Sequence, residues 1–172
     1  MTTLVLYPTS SYNVATFVDI ANVYGNTTSY ATATTNVANN VSAGSASLYF
    51  NMTDIPEDAT ISAIKLSIVS RVSSANTRSV YSSDHYAGTG DSSTQMITMD
   101  TNLSATNSTV DFVFTPSKRT TAGWRNNSLG WSTNFLSKTA GSYSVYWEKA
   151  YITVEYTQPT SSNMNVLFFG DI

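Results

Sequence analysis

The chain is expected to be all-β, an antiparallel jelly-roll-like sandwich with a C-terminal extended arm, and three observations lead there. From Ile64 to Val72 the apolar residues Ile64, Leu66, Ile68 and Val72 share one parity while Lys65, Ser67 and Arg71 take the other, the period-2 pattern of a half-buried strand. No window of ten or more residues places apolar side chains at i, i+3, i+4 and i+7, and β-branched and aromatic residues dominate the periodic segments, so helix content should be small. Clusters of Gly, Pro, Asn, Asp, Ser and Thr break the chain into short strands. One sheet alone would leave an apolar face wet, so two must pack together.

Taken in order, Leu4, Val5 and Leu6 form a short edge strand ended by Pro8 and the Thr9, Ser10, Ser11 cluster. An extended run from Val14 to Ile20 precedes a turn at Gly25 and Asn26, and Tyr30 leads into a further extended run. A polar loop from Asn36 to Ser45 then delivers the chain to a hairpin spanning Ser47 to Val72. Leu48, Phe50 and Met52 face the core before its turn, and Asp54, Pro56, Glu57 and Asp58 make the turn at one end of the sandwich. Beyond Val72 periodicity is lost through Ser73, Ser74, Asn76, Thr77, Asp84, His85, Tyr86, Gly88 and Gly90, which reads as a long loop. Met96, Ile97 and Met99 form a weak strand, and Val110, Phe112 and Phe114 a stronger one before Pro116. Trp124, Leu129, Trp131, Phe135 and Leu136 bring bulk to the core or a partner, and Ala150 to Tyr156 closes the sandwich. Phe50, Ile64, Leu66, Ile68, Phe112, Phe114, Ile152 and Val154 are the expected core.

Composition narrows the function classes. A chain of 172 residues fits one domain, taken as residues 1–157, followed by the arm at 158–172. Charged residues are only 11%, so hydroxyls and amides must cover most of the surface. A formal charge of −3 gives no basic field for nucleic acid or an anionic membrane. Cysteine is absent, which removes disulfides and thiolate metal sites. No apolar run is long enough to span a bilayer, and the N-terminus lacks the order of a signal peptide.

Catalytic chemistry finds little support. The single histidine, His85, follows Asp84, and neighbours on an extended chain point apart, so Asp84 is poorly placed to orient it. Gly130-Trp131-Ser132-Thr133-Asn134 lacks the second glycine of a nucleophile elbow. The scattered acids give no preferred pair for sugar hydrolysis. Asp54, Glu57 and Asp58 are read as turn formers rather than calcium ligands, and Gly88-Thr89-Gly90-Asp91 lacks the G-K-[ST] of a phosphate loop. No catalytic residue, metal or cofactor is therefore assigned. Asn-x-Ser/Thr matches at Asn26, Asn51 and Asn107 follow from composition. The aromatics of the long loop are more informative: Tyr81, His85 and Tyr86 could stack on a sugar face.

The order Asn26-Thr27-Thr28-Ser29-Tyr30-Ala31-Thr32, Leu48-Tyr49-Phe50, Ile55-Pro56-Glu57-Asp58-Ala59-Thr60-Ile61, Gly130-Trp131-Ser132 and Ala150-Tyr151-Ile152-Thr153-Val154-Glu155-Tyr156-Thr157 resembles a β-sandwich family of tailed-phage and prophage structural proteins. Members of that family are similar in fold to carbohydrate-binding jelly rolls. The likeness covers residues 12 to 157 and rests on structural motifs, the I-P-x-x-A-x-I turn and the closing V-x-Y strand. It implies a non-enzymatic virion component, decorating the capsid or sitting on the tail, with other virion proteins and copies of itself as partners. The alternative is a carbohydrate-binding or host-receptor-binding module. The arm carries a continuous apolar run, Val166, Leu167, Phe168 and Phe169, which would aggregate if left in water and is expected to augment a neighbouring subunit.

Overall fold

The computed structural model describes residues 1–25, 28–37, 41–56, 58–73, 78–86, 96–99, 104–114, 129–137 and 141–158. Ten strands are present among them: β1 Thr2–Leu6, β2 Pro8–Ala15, β3 Ala31–Val37, β4 Val41–Phe50, β5 Thr60–Val72, β6 Arg78–Tyr86, β7 Met96–Met99, β8 Ser108–Phe114, β9 Leu129–Ser137 and β10 Gly141–Thr157. A 3-10 turn at Ile20–Tyr24 is the single helical element described. One sheet, A, runs β1-β10-β5-β8 with β3 also on β10, and the other, B, runs β2-β4-β9-β6-β7. All pairings are antiparallel. The eight strands from β3 onward form the two four-stranded sheets of a jelly roll, β3-β10-β5-β8 and β4-β9-β6-β7.

Phe50, Ile64, Leu66, Ile68, Phe112, Ile152 and Val154 are buried between the sheets, as their parity requires. Phe114 pairs with Ile64 in the register, and its side chain lies outside the described set. The largest buried group is an aromatic cluster, in which Phe17, Phe135 and Trp147 meet edge to face at centroid separations of 5.4–5.5 Å. Gly44 makes room for it, since a Cβ there would stand 2.7 Å from Phe17 Cε2. Ser70 lies on the same core-facing parity of β5, and its buried Oγ has no hydrogen-bond partner among the described residues.

Several expectations are corrected. β4 and β5 are not a hairpin, because β4 belongs to sheet B and β5 to sheet A. Their connection crosses the end of the core and buries Met52, Ile55 and Ala59 beneath it; a hairpin turn in one sheet would leave those apolar side chains wet. The expected loop at Asn36 to Ser45 is mostly strand, since β3 reaches Val37 and β4 begins at Val41. Val14 to Ile20 is not one extended run. β2 ends at Ala15, Thr16 and Asp19 take positive φ, and the 3-10 turn follows. Pro8 opens β2 rather than ending a strand, which an edge strand tolerates at its first residue. Residues 78–86, read as part of a loop, form β6, held between β9 and β7; hydroxyl-rich strands hide their alternation when both parities are polar. Ser67 was expected on the wet face. It is fully buried, because this small side chain sits in the register row between Tyr151 and Asp111, both larger.

Candidate functional site

The outer face of sheet A is organised by an irregularity in β10. Val145 and Trp147 are buried at odd positions, whereas Ala150, Ile152 and Val154 are buried at even ones. The phase changes at Glu148, where the β10-β5 register slips between Trp147↔Ser70 and Lys149↔Val69. This is a β-bulge, one extra residue in one strand. The indole Nε1 of Trp147 donates to the Lys149 carbonyl at 3.1 Å and ties the two sides of the bulge together. As a result Tyr146 and Tyr151, five positions apart, occupy the same face: they pair with Arg71 and Ser67, which share a parity on β5.

Each of these tyrosines has a companion. Tyr30, just before β3, meets Tyr146 edge to face at 5.9 Å, and Tyr7, just after β1, meets Tyr151 at 6.1 Å. Asn22 of the 3-10 turn donates to the Tyr30 carbonyl at 3.0 Å, and Asn107 Nδ2 reaches the Tyr30 hydroxyl at 3.3 Å. Asn107 Nδ2 also hydrogen-bonds Glu148 Oε2. Arg71 lies against both rings of the first pair, its guanidinium carbon 4.0 Å from the Tyr146 centroid and 5.0 Å from that of Tyr30. The two tyrosine pairs are about 13 Å apart along the sheet, four β5 residues at about 3.3 Å each.

Beside the second pair, Lys65 Nζ is 3.0 Å from Asp111 Oδ2, and Ser67 Oγ donates to Asp111 Oδ1 at 2.6 Å. Partial burial pushes the Asp111 carboxyl up, but the hydrogen bonds from Ser67 and Lys65 and the lysine charge outweigh it and hold the group below its ordinary range. The hydrogen bond and charge of Asp111 in turn raise Lys65. The face therefore offers half-exposed rings, hydroxyls, an amide and a carboxylate, the mixture that grips a polar, ring-shaped ligand. No group of three or more His, Cys, Asp or Glu among the described residues is placed to hold a metal ion.

The expected sugar-contacting residues lie on the other sheet. Tyr81 pairs with Asn134, His85 with Gly130 and Tyr86 with Leu129 along β6-β9. Tyr81 and His85 share a parity, and Tyr86 takes that of Val80, whose partner is the buried Phe135. Backbone and register are what is described for β6. The arm residues Val166, Leu167, Phe168 and Phe169 lie outside the described residues, as does Glu57 of the acidic turn. Tyr7, Tyr30, Tyr146, Tyr151 and Arg71 escaped the sequence reading as a site. A five-residue spacing on β10 puts Tyr146 and Tyr151 on opposite faces unless the bulge is known.

The strand order defines an all-β protein of the jelly-roll class. No family model matches the chain, and no curated protein does. Among solved structures, a CBM4 carbohydrate-binding module is similar with a TM-score of 0.46 at 11% identity, over 89% of this chain and 94% of that one. The family 11 carbohydrate-binding module from Clostridium thermocellum, solved with a beta-1,3-1,4-mixed-linked tetrasaccharide, gives 0.38 at 12%, over 88% and 82%. The enzymatically active domain of bacteriophage CBA120 tailspike protein 4 gives 0.34 at 12%, over 77% of this chain and 18% of that one. At these identities and scores the likenesses carry no functional argument.

Proposed function

We propose that the chain is a non-enzymatic glycan-binding module whose binding face is the outer surface of sheet A. The observation that carries this is the pair of tyrosine clusters on one face, Tyr30 with Tyr146 and Tyr7 with Tyr151, about 13 Å apart, with Asn107 beside the first and Asp111 beside the second. That span accommodates a short oligosaccharide, with sugar faces on the rings and sugar hydroxyls on Asp111 and Asn107, the buried Ser67 holding the Asp111 carboxylate in place. The test is a glycan array followed by calorimetric titration of any glycan retained. Binding should weaken at least tenfold in Tyr146→Ala and in Tyr151→Ala, and persist in Tyr81→Ala and Tyr86→Ala. Loss confined to the latter two would move the site to β6, and turnover of the bound glycan would overturn the non-enzymatic reading.

The motif resemblance to phage structural proteins supports a virion setting, with other virion proteins and copies of this chain as partners and host recognition as the use of the glycan face. Val166, Leu167, Phe168 and Phe169 serve there as an assembly arm. Mass spectrometry of purified particles tests the setting. A truncation after Thr157 tests the arm: a folded domain that no longer joins its oligomer or particle is expected, and normal assembly would refute it.

A further inference from the structure

We propose that the Arg71 end of this face binds the carboxylate of an acidic sugar, a uronate or a sialate, carried on an otherwise neutral glycan. The proposal rests on the glycan-binding reading and adds the chemical class of the ligand. Arg71 is half-buried on the central strand β5, and its interactions are the two ring contacts with Tyr146 and Tyr30. Among the described residues its guanidinium forms no ion pair and donates no hydrogen bond. A guanidinium carries five N–H donors in a planar fork matched to a carboxylate. Two rings orient that fork and consume none of its donors in a conventional hydrogen bond, so the group is positioned but unspent.

Glu148, bonded through Asn107 to the Tyr30 side of the cluster, forms no ion pair with Arg71. Glu148 takes a hydrogen bond from Asn107 on one oxygen and lies 4.0 Å from Lys149 Nζ with the other, so both oxygens are engaged by these neighbours. Asn107 also reaches the Tyr30 hydroxyl, which links the acid's position to the ring on which Arg71 rests. Among the described residues the remainder of the face presents no comparable unpaired cation. Lys65 is already bonded to Asp111, and Glu155 lies on the same parity of β10 as Thr153, the partner of Lys65. A ligand with a charge on every sugar would meet those carboxylates, whereas one acid sugar flanked by neutral ones meets Arg71 at one end and the Tyr7–Tyr151 pair further along.

The experiment uses the full chain on an array that carries neutral glycans, their mono-uronate and mono-sialate derivatives, and sulfated glycans. Retention of carboxylated members over their neutral parents is expected, and whether uronates or sialates are retained tells the two sources apart. In solution, a retained carboxylated glycan should bind at least about tenfold more weakly to Arg71→Gln and to Arg71→Lys, which keeps the charge but not the fork. Tyr12→Ala, at an exposed tyrosine on sheet B, should bind as the parent does. Because Arg71 packs on two rings, the side-chain Nε–Hε resonance of Arg71 in the intact chain provides a second reading, and it should shift on titration with the carboxylated glycan. Equal binding of neutral parents, lost in Tyr146→Ala, would overturn the acidic-sugar assignment and leave the binding face standing. So would retention of sulfated glycans alone, or a carboxylate preference that survives both Arg71 variants with an unmoved resonance. Failure to retain any glycan would overturn both readings.

Discussion

Replacing Gly44 with alanine tests how tightly the aromatic cluster is set. The new Cβ would stand 2.7 Å from Phe17 Cε2, 3.0 Å from its Cδ2 and 3.1 Å from Ala33 Cβ, the first of these far inside van der Waals contact. Phe17 cannot simply yield, because its ring is held edge-on by Phe135 and Trp147, each 5.5 Å away. Overpacking a well-filled core costs about 1–3 kcal/mol, and loss of glycine's unfolded-state freedom returns about 0.4–1 kcal/mol. A net loss of about 1–2 kcal/mol is expected, a fall in Tm of about 2–8 °C for a chain of this size. Denaturant and thermal unfolding of Gly44→Ala would measure it, repeated in a Phe17→Leu background that removes the clashing ring atoms. There the added methyl meets only Ala33 Cβ at 3.1 Å and should cost clearly less. An equal cost in both backgrounds would show that Phe17 is not what the methyl meets, and would refute the reasoning.

Leu66→Ala, at a fully buried site on β5, should cost about 2–5 kcal/mol in chemical unfolding; a cost below about 1 kcal/mol would contradict its burial. Ser70→Ala should leave stability unchanged or raise it by about 1 kcal/mol, since it removes a buried hydroxyl with no partner, and a clear loss would reveal a bond to that oxygen. The Asp111 carboxyl is held below its ordinary range, so its stabilising contribution is present above the unfolded-state pKa of about 3.9 and fades as pH falls through the lower folded value. Asp111→Asn should flatten that acid limb by no more than about 1 kcal/mol, the pair being well exposed; an unchanged pH profile would show that the pair contributes nothing.

Where one parity is greasy and the other wet, the strands were legible. Ile64, Leu66, Ile68, Ile152 and Val154 announce their burial by alternation alone, and the absence of helical periodicity excludes the other fold classes. β6 was not legible, because Ser79, Ser82, Ser83 and Asp84 fill both of its parities with polar groups. The β4–β5 crossing was missed because acids and a proline suit an arch as well as a hairpin; the discriminating signal was Ile55, an apolar residue inside the turn that has to be covered. The candidate face was hidden most deeply. Its residues come from five places in the chain, and the parity of Tyr146 relative to Tyr151 depends on a bulge that leaves no composition mark, since Glu148 is an ordinary strand residue in sequence terms.

β10 pairs with β1 and β3 along one edge and with β5 along the other. It is also the last of the described strands to leave the ribosome. Sheet A consequently has no centre during synthesis: β1, β3 and β5 emerge early and wait, their pairing edges open, until the final partner is delivered. The chain is thus committed to a late, concerted closure, in which the strand carrying Tyr146 and Tyr151 completes the architecture and the tyrosine-lined face in the same event. Until then the apolar edge of β5 is the segment most in need of shelter from other nascent copies.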